Sequence, residues 1–223
     1  MTFHDDRPWV LLDCDDVKLD FIGRSSLDHE TPSGFADYLR VVHGIETRGQ
    51  PGGWGMSDWL GQDPIAARAM IEDFIERHDG FGRLEPVEGA VEAIAALRAM
   101  GYRIASITSC SRNPEPRTRR LANLQAVFGG AIERLHMVGL GESKTEVLSA
   151  YPPSIWVDDN PANAEAGARL GHRSLLFPAA HNVSAWENPA PGVEPIRGWE
   201  DVVRIARAEM EARAELSCDP DHP

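Results

Sequence analysis

Two short apolar runs in this chain stop abruptly in acid. Trp9-Val10-Leu11-Leu12 leads into Asp13, Cys14, Asp15 and Asp16, and Ile155-Trp156-Val157 leads into Asp158 and Asp159. A buried parallel strand hands its last residue to a site in this manner. A third apolar run, residues 103–107, ends in Thr108 and Ser109. Parallel strands point their carboxyl ends to one sheet edge, so the three polar ends are expected to converge there. Carboxylates gathered in one place repel one another and need a counter-ion. Magnesium suits the task, because it accepts one or two carboxylates, keeps several waters and leaves a position for a phosphate oxygen. A single Asp at a strand end is more simply a turn former or a helix cap. Two acidic clusters at matching strand ends reverse that preference.

The elements that would position these groups alternate along the chain. Helical spacing of apolar residues covers 89–100, closed by Gly101, and recurs over 117–128 and 144–150. Between and after them lie strand-like runs at 103–108, 134–138, 154–158 and 172–177. Asn160 as N-cap with Pro161 in the first turn opens a further helix that ends near Gly171. Such alternation implies crossover units, and hence a parallel sheet covered on both faces. The expected fold class is therefore α/β, a Rossmann-like parallel sheet flanked by helices. Residues 18–85 break the alternation, with helical spacing at 33–43 and 64–78 joined by the Gly-rich piece 49–61. They are expected to form a small helical cap inserted into a core of residues 1–17 and 86–216. Segment 178–195, rich in Pro, Asn and Ala and without periodicity, reads as a loop. Trp199, Val202, Val203, Ala206 and Met210 share one helical face, and residues 217–223 read as a frayed tail.

Charge narrows the partners. Lys and Arg total 22 against 35 Asp and Glu, and the formal charge of -13 repels a phosphate backbone and an anionic membrane alike. Duplex nucleic acid and membranes are thus not expected partners. A small phosphorylated substrate would need a cation and local basic groups to reverse the field at one site. Three scattered cysteines, Cys14, Cys110 and Cys218, make neither a disulfide framework nor a zinc knuckle, which suggests a reducing compartment. The first residues lack the pattern of a signal peptide, and no apolar run approaches the roughly 20 residues of a membrane span. A cytoplasmic location is the expectation.

Taken in order, Leu11-Leu12-Asp13-Cys14-Asp15-Asp16-Val17, the run 104–108, Lys144 at a predicted helix start, and Ile155-Trp156-Val157-Asp158-Asp159 resemble the four motifs of haloacid dehalogenase-like hydrolases. The resemblance spans residues 9–177 apart from the insertion. It implies that Asp13 attacks phosphorus to form an aspartyl-phosphate, and that Asp15 protonates the leaving oxygen and then deprotonates water. It further implies that Mg2+ is held by Asp13, the carbonyl of Asp15 and Asp158, with Asp159 acting through water or as an orienting group. Thr108 and Ser109 would meet the phosphoryl group, and Lys144 would set its charge against Asp13 and the phosphate. The plain alternative for Lys144 is a solvated lysine, although its place at the positive end of a helix dipole favours a nearby anion. Asp16 stands where the motif commonly has Gly, and Val17 where Thr is frequent. Cys14 reads as a packing residue.

The cap's place directly after the first motif gives it the choice of leaving group. The order Asp16-Val17-Lys18-Leu19-Asp20-Phe21, together with Thr108-Ser109, is similar to the pyrimidine 5'-deoxyribonucleotidases. Phe21, Trp54 and Trp59 would then stack on a base, or else form the cap's own core. Arg112, Arg117, Arg119 and Arg120 would reach a distal phosphate or sugar, or lie on a solvated helix face. The implied activity is magnesium-dependent hydrolysis of a small phosphomonoester, with a nucleoside monophosphate as one candidate. A phosphomutase and a catalytically silent phosphate- or partner-binding protein are the alternatives. Dehalogenation fits less well, because it needs neither an acid at Asp15 nor magnesium.

Overall fold

The computed structural model describes residues 6–23, 34–47 and 49–217. In chain order the elements are β1 (Trp9–Leu12), α1 (Phe35–Tyr38) running into a π turn (Leu39–His43), α2 (Ser57–Leu60), α3 (Pro64–Arg77), a 3-10 turn (Asp79–Gly82) and α4 (Ala90–Ala99). There follow β2 (Arg103–Cys110), α5 (Pro114–Phe128), β3 (Arg134–Gly139), α6 (Thr145–Ser149), β4 (Ile155–Asp158), α7 (Pro161–Arg169), β5 (Arg173–Leu176), α8 (Val183–Glu187), β6 (Val193–Pro195) and α9 (Trp199–Ser217). The strands pair in parallel in the order β3-β2-β1-β4-β5-β6. This is the expected α/β sheet. Among the described residues no helix is long and apolar enough to cross a membrane.

The apolar runs of β1 and β4 are continuous because both sheet faces are covered. Val10, Leu12, Ile155 and Val157 face the larger core with Leu97 of α4 and Val202 of α9, whereas Trp9, Leu11 and Trp156 face Leu148 of α6 and Tyr151. Trp156 is fully buried, and a Cβ at Gly167 would lie 2.3 Å from its Cδ1. Only glycine there lets α7 lie close enough to β4 to start immediately behind Asp158 and Asp159. Asn160 caps α7 through a bond from the Ala162 amide at 2.9 Å.

The insertion between β1 and α4 is helical. Asp63 caps α3 by accepting from the Ile65 and Ala66 amides, with Pro64 in the first turn. Phe35, Tyr38 and Phe74 pack together at its centre. It joins the core through a narrow neck, where the Asp20 amide donates to Glu85 at 2.8 Å and the Val87 amide to Lys18 at 2.9 Å.

Two expectations need correction. Segment 178–195 is not a simple loop, because it holds a 3-10 turn (Ala180–Asn182), α8 and the edge strand β6, whose Val193 pairs with Ser174. Three residues ending in Pro195 are too short to show periodicity, and an edge strand tolerates proline. Helix α5 starts at Pro114 rather than at residue 117. Pro114 and Pro116 both fall in its first turn, where the missing amide protons have no helical partner to lose. Ser33, the first residues of the chain, and 218–223 of the expected tail lie outside the described residues.

Candidate active site

The sheet brings Asp13 and Asp158 together. Strand β1 ends one residue before Asp13, and β4 ends at Asp158, so neighbouring parallel strands release their carboxylates at the same edge. Lys144, immediately before α6, reaches both: its Nζ lies 2.6 Å from Asp13 Oδ1 and 2.9 Å from Asp158 Oδ2. All three side chains are almost entirely buried. Burial alone would lower the pKa of the Lys144 ammonium, but the Asp13 and Asp158 carboxylates outweigh it and carry it above the ordinary lysine value. Burial raises the carboxyl pKa of Asp158 well above the usual range, against the pull of Lys144, and raises that of Asp159 with the help of Asp13.

The turn after Asp13 is tight. Asp16 has φ of 56°, a left-handed conformation that costs most side chains about 1–2 kcal/mol and that Asp tolerates better than most. The turn buries Lys18 completely, and its Nζ donates to the Asp13 carbonyl at 2.6 Å and to Ser106 Oγ at 2.7 Å. Burial lowers its pKa.

Asp15 faces the cavity with its side chain 27% exposed, and its Oδ1 accepts from Nη2 of the fully buried Arg120 at 2.5 Å. Burial pushes the Asp15 carboxyl up while Arg120 opposes it. Of the four arginines grouped together in the sequence, Arg120 alone meets a site carboxylate directly. Arg112 pairs with Glu142, Arg117 donates to the Ser111 and Met137 carbonyls, and Arg119 donates to the Ile75 and Glu76 carbonyls of α3. A solvated face is therefore the wrong reading for Arg120. The missed signal was its spacing, since Arg120 lies in one helical column with Leu124 and Phe128, both buried.

Thr108 and Ser109 have different surroundings. Thr108 is fully buried and its hydroxyl donates to the Ser109 carbonyl at 3.3 Å, whereas Ser109 lines the cavity. Strand β2 continues to Cys110, and side chains alternate along it, so only one of the two can face the acids.

The cavity has a volume of about 640 Å³. Asp13, Asp15, Ser109, Lys144 and Asp159 line its polar end, and Trp54, Met56, Ile71 and Ile75 of the insertion line an apolar wall. Phe21 also borders it, yet the ring is 6% exposed and stacks on Phe35 at 5.7 Å, so most of it belongs to the apolar core. Trp59 packs against Phe35, while Trp54 is 56% exposed and meets His181 edge-on at 4.8 Å. His181, in the segment expected to be loop, has its Nε2 2.8 Å from Asp159 Oδ2, and Asn182 donates to the Asp159 carbonyl at 2.6 Å. Cys14 is buried and fills space as expected.

The donors suit a hard divalent cation. Oxygens of Asp13, Asp158 and Asp159 lie within 4.8 Å of one another, and Asp159 Oδ1 is buried without a hydrogen-bond partner among the described residues. Five carboxylates (Asp13, Asp15, Asp16, Asp158 and Asp159) face three buried cations (Lys18, Lys144 and Arg120). The acids outnumber the cations, and a bound divalent ion would offset the excess of acidic groups.

No protein-family model matches the sequence, and no curated protein matches it either. Solved structures do match in shape. A haloacid dehalogenase-like hydrolase from Streptococcus pneumoniae superposes with a TM-score of 0.59 at 9% identity, over 89% of this chain and 98% of that one. A predicted phosphatase from Clostridium acetobutylicum gives 0.55 at 13% identity, over 92% and 99%. A HAD family hydrolase from Deinococcus radiodurans, with bound phosphate and sodium, gives 0.52 at 18% identity, over 92% and 96%. At such identities the likeness establishes a haloacid dehalogenase-like fold.

Proposed function

We propose that this chain is a phosphomonoester hydrolase in which Asp13 is the nucleophile and Mg2+ the cofactor. The observation that carries the reading is the convergence of Asp13 and Asp158 on the buried Lys144 at the polar end of a cavity. The solved structures of the same shape that are described as hydrolases or phosphatases support it.

Asp13 attacks phosphorus, an Asp–O–P bond forms, and the bond from phosphorus to the ester oxygen breaks. Asp15 gives its proton to that leaving oxygen, then takes one from the water that attacks the aspartyl-phosphate. Inorganic phosphate and free Asp13 result. Lys144 holds the Asp13 side chain in place through its 2.6 Å contact and offers positive charge to the phosphoryl oxygens. Ser109, rather than Thr108, donates a hydrogen bond to one of them. Asp13, the Asp15 carbonyl, Asp158 and Asp159 would hold the magnesium, whose charge neutralises the phosphoryl oxygens.

The substrate is a small phosphorylated metabolite. An apolar wall containing the exposed Trp54 favours a leaving group with a flat apolar face, which a nucleoside 5'-monophosphate provides. Phosphate release from a panel of esters, with and without Mg2+, tests the reading. Release should require the cation and vanish in Asp13→Asn. Equal release by that variant would remove Asp13 from its role, and isomerised sugar phosphate without free phosphate would make the chain a mutase.

A further inference from the structure

Arg120 is the largest fully buried charged side chain in the described protein. Burying a guanidinium is costly unless its donors are matched. Here they are only partly matched: Nη2 meets Asp15 Oδ1 at 2.5 Å, while Nε and Nη1 have no hydrogen-bond partner among the described residues. Its neighbours in the same helical column, Leu124 and Phe128, are buried apolar side chains, and the buried Asn123 on that side is matched by hydrogen bonds with the Leu84 backbone. Leucine or methionine at position 120 would pack there without that penalty. The guanidinium also sits over the Phe81 ring, with Cζ 4.1 Å from the ring centroid, a cation–π contact that helps to hold it.

We propose that Arg120 is a positioning residue for proton transfer to the leaving group. It grips Asp15 through Oδ1 and so turns Oδ2 into the cavity that Asp15 lines. When the ester bond breaks, the proton on Oδ2 moves to the departing oxygen and the resulting carboxylate stays paired with Arg120. Arg120 does not line the cavity, so it acts on the reaction only through Asp15. The inference rests on Asp15 as the acid in phosphoryl transfer. It adds that geometry, supplied from α5, decides how well Asp15 performs.

The test compares two esters by kcat/KM, which reports on the steps up to formation of the aspartyl-phosphate. A simple alkyl phosphate needs a proton on its leaving oxygen, whereas 4-nitrophenyl phosphate releases a stable anion without one. General acid catalysis contributes about 10²–10⁴-fold, so Arg120→Met should lower kcat/KM for the alkyl ester by about 10²-fold and for the aryl ester by less than about threefold. In an Asp15→Asn background the Arg120 substitution should add almost nothing on either ester. Arg120→Lys keeps the charge but not the fork and should show the same split, which covers failure of the methionine variant to fold. Equal losses on both esters, or none on either, overturn the inference while leaving the hydrolase intact. A wild-type protein that turns over neither ester overturns both.

Discussion

Replacing Ser109 and Thr108 one at a time tests the site at its most local point. Thr108→Val keeps the shape of a fully buried side chain and deletes one hydroxyl, whose bond to the Ser109 carbonyl is long at 3.3 Å. A net hydrogen bond is worth about 0.5–1.5 kcal/mol, and this one belongs at the low end, so the variant should lose roughly 0.5 kcal/mol of stability. Its kcat should stay within about threefold of wild type. Ser109→Ala removes a cavity-facing donor instead. Loss of one donor aimed at developing charge costs about 10²–10³ in kcat, and water entering this open cavity can replace part of it, so about 10²-fold is expected. Initial rates of phosphate release at saturating ester and Mg2+ read the two rate effects, and urea unfolding reads the loss of stability. A larger loss of kcat in Thr108→Val than in Ser109→Ala would mean that strand alternation does not select the phosphate-facing residue here.

Lys144→Met leaves Asp13 and Asp158 buried without their shared cation, and breaking such a pair costs about 3–5 kcal/mol; denaturant unfolding in the absence of divalent cations should show it, and a loss under about 1 kcal/mol would contradict the buried geometry. His181→Ala frees one oxygen of Asp159, and loss of an outer partner of this kind weakens metal binding by about 10–100-fold. Calorimetric titration with Mn2+ measures that directly, and unchanged affinity would show that Asp159 needs no support from His181.

The chain announces its acids because an apolar run that stops in Asp reads as a buried strand delivering its last residue to a sheet edge. Asp13 and Asp158 were legible for that reason, and the parallel sheet followed from the alternation of helix and strand. The buried cations were harder. A lysine or arginine in a sequence defaults to solvent, and only the tertiary structure reveals that the turn after Asp13 folds Lys18 beneath it, or that α5 turns Arg120 inward. Their positions did carry a trace, since Lys18 sits between Val17 and Leu19 and Arg120 keeps the spacing of Leu124 and Phe128. His181 left no such trace. It comes from a segment without periodicity and meets Asp159 only because Asn182 ties that turn to the end of β4. The choice between Thr108 and Ser109 depended on where β2 ends, and strand ends are poorly marked by residue type.

The neck at Leu19 and Pro86 has a consequence for how such a chain could diversify. Departure and return of the insertion run side by side and bond to each other, so the core meets the same two paired segments whatever lies beyond them. Closing a longer excursion raises the entropic cost only as the logarithm of its length. One inserted module could be exchanged for another at this junction with Asp13 and Lys144 left in register, so selectivity would change while the reacting groups stay put.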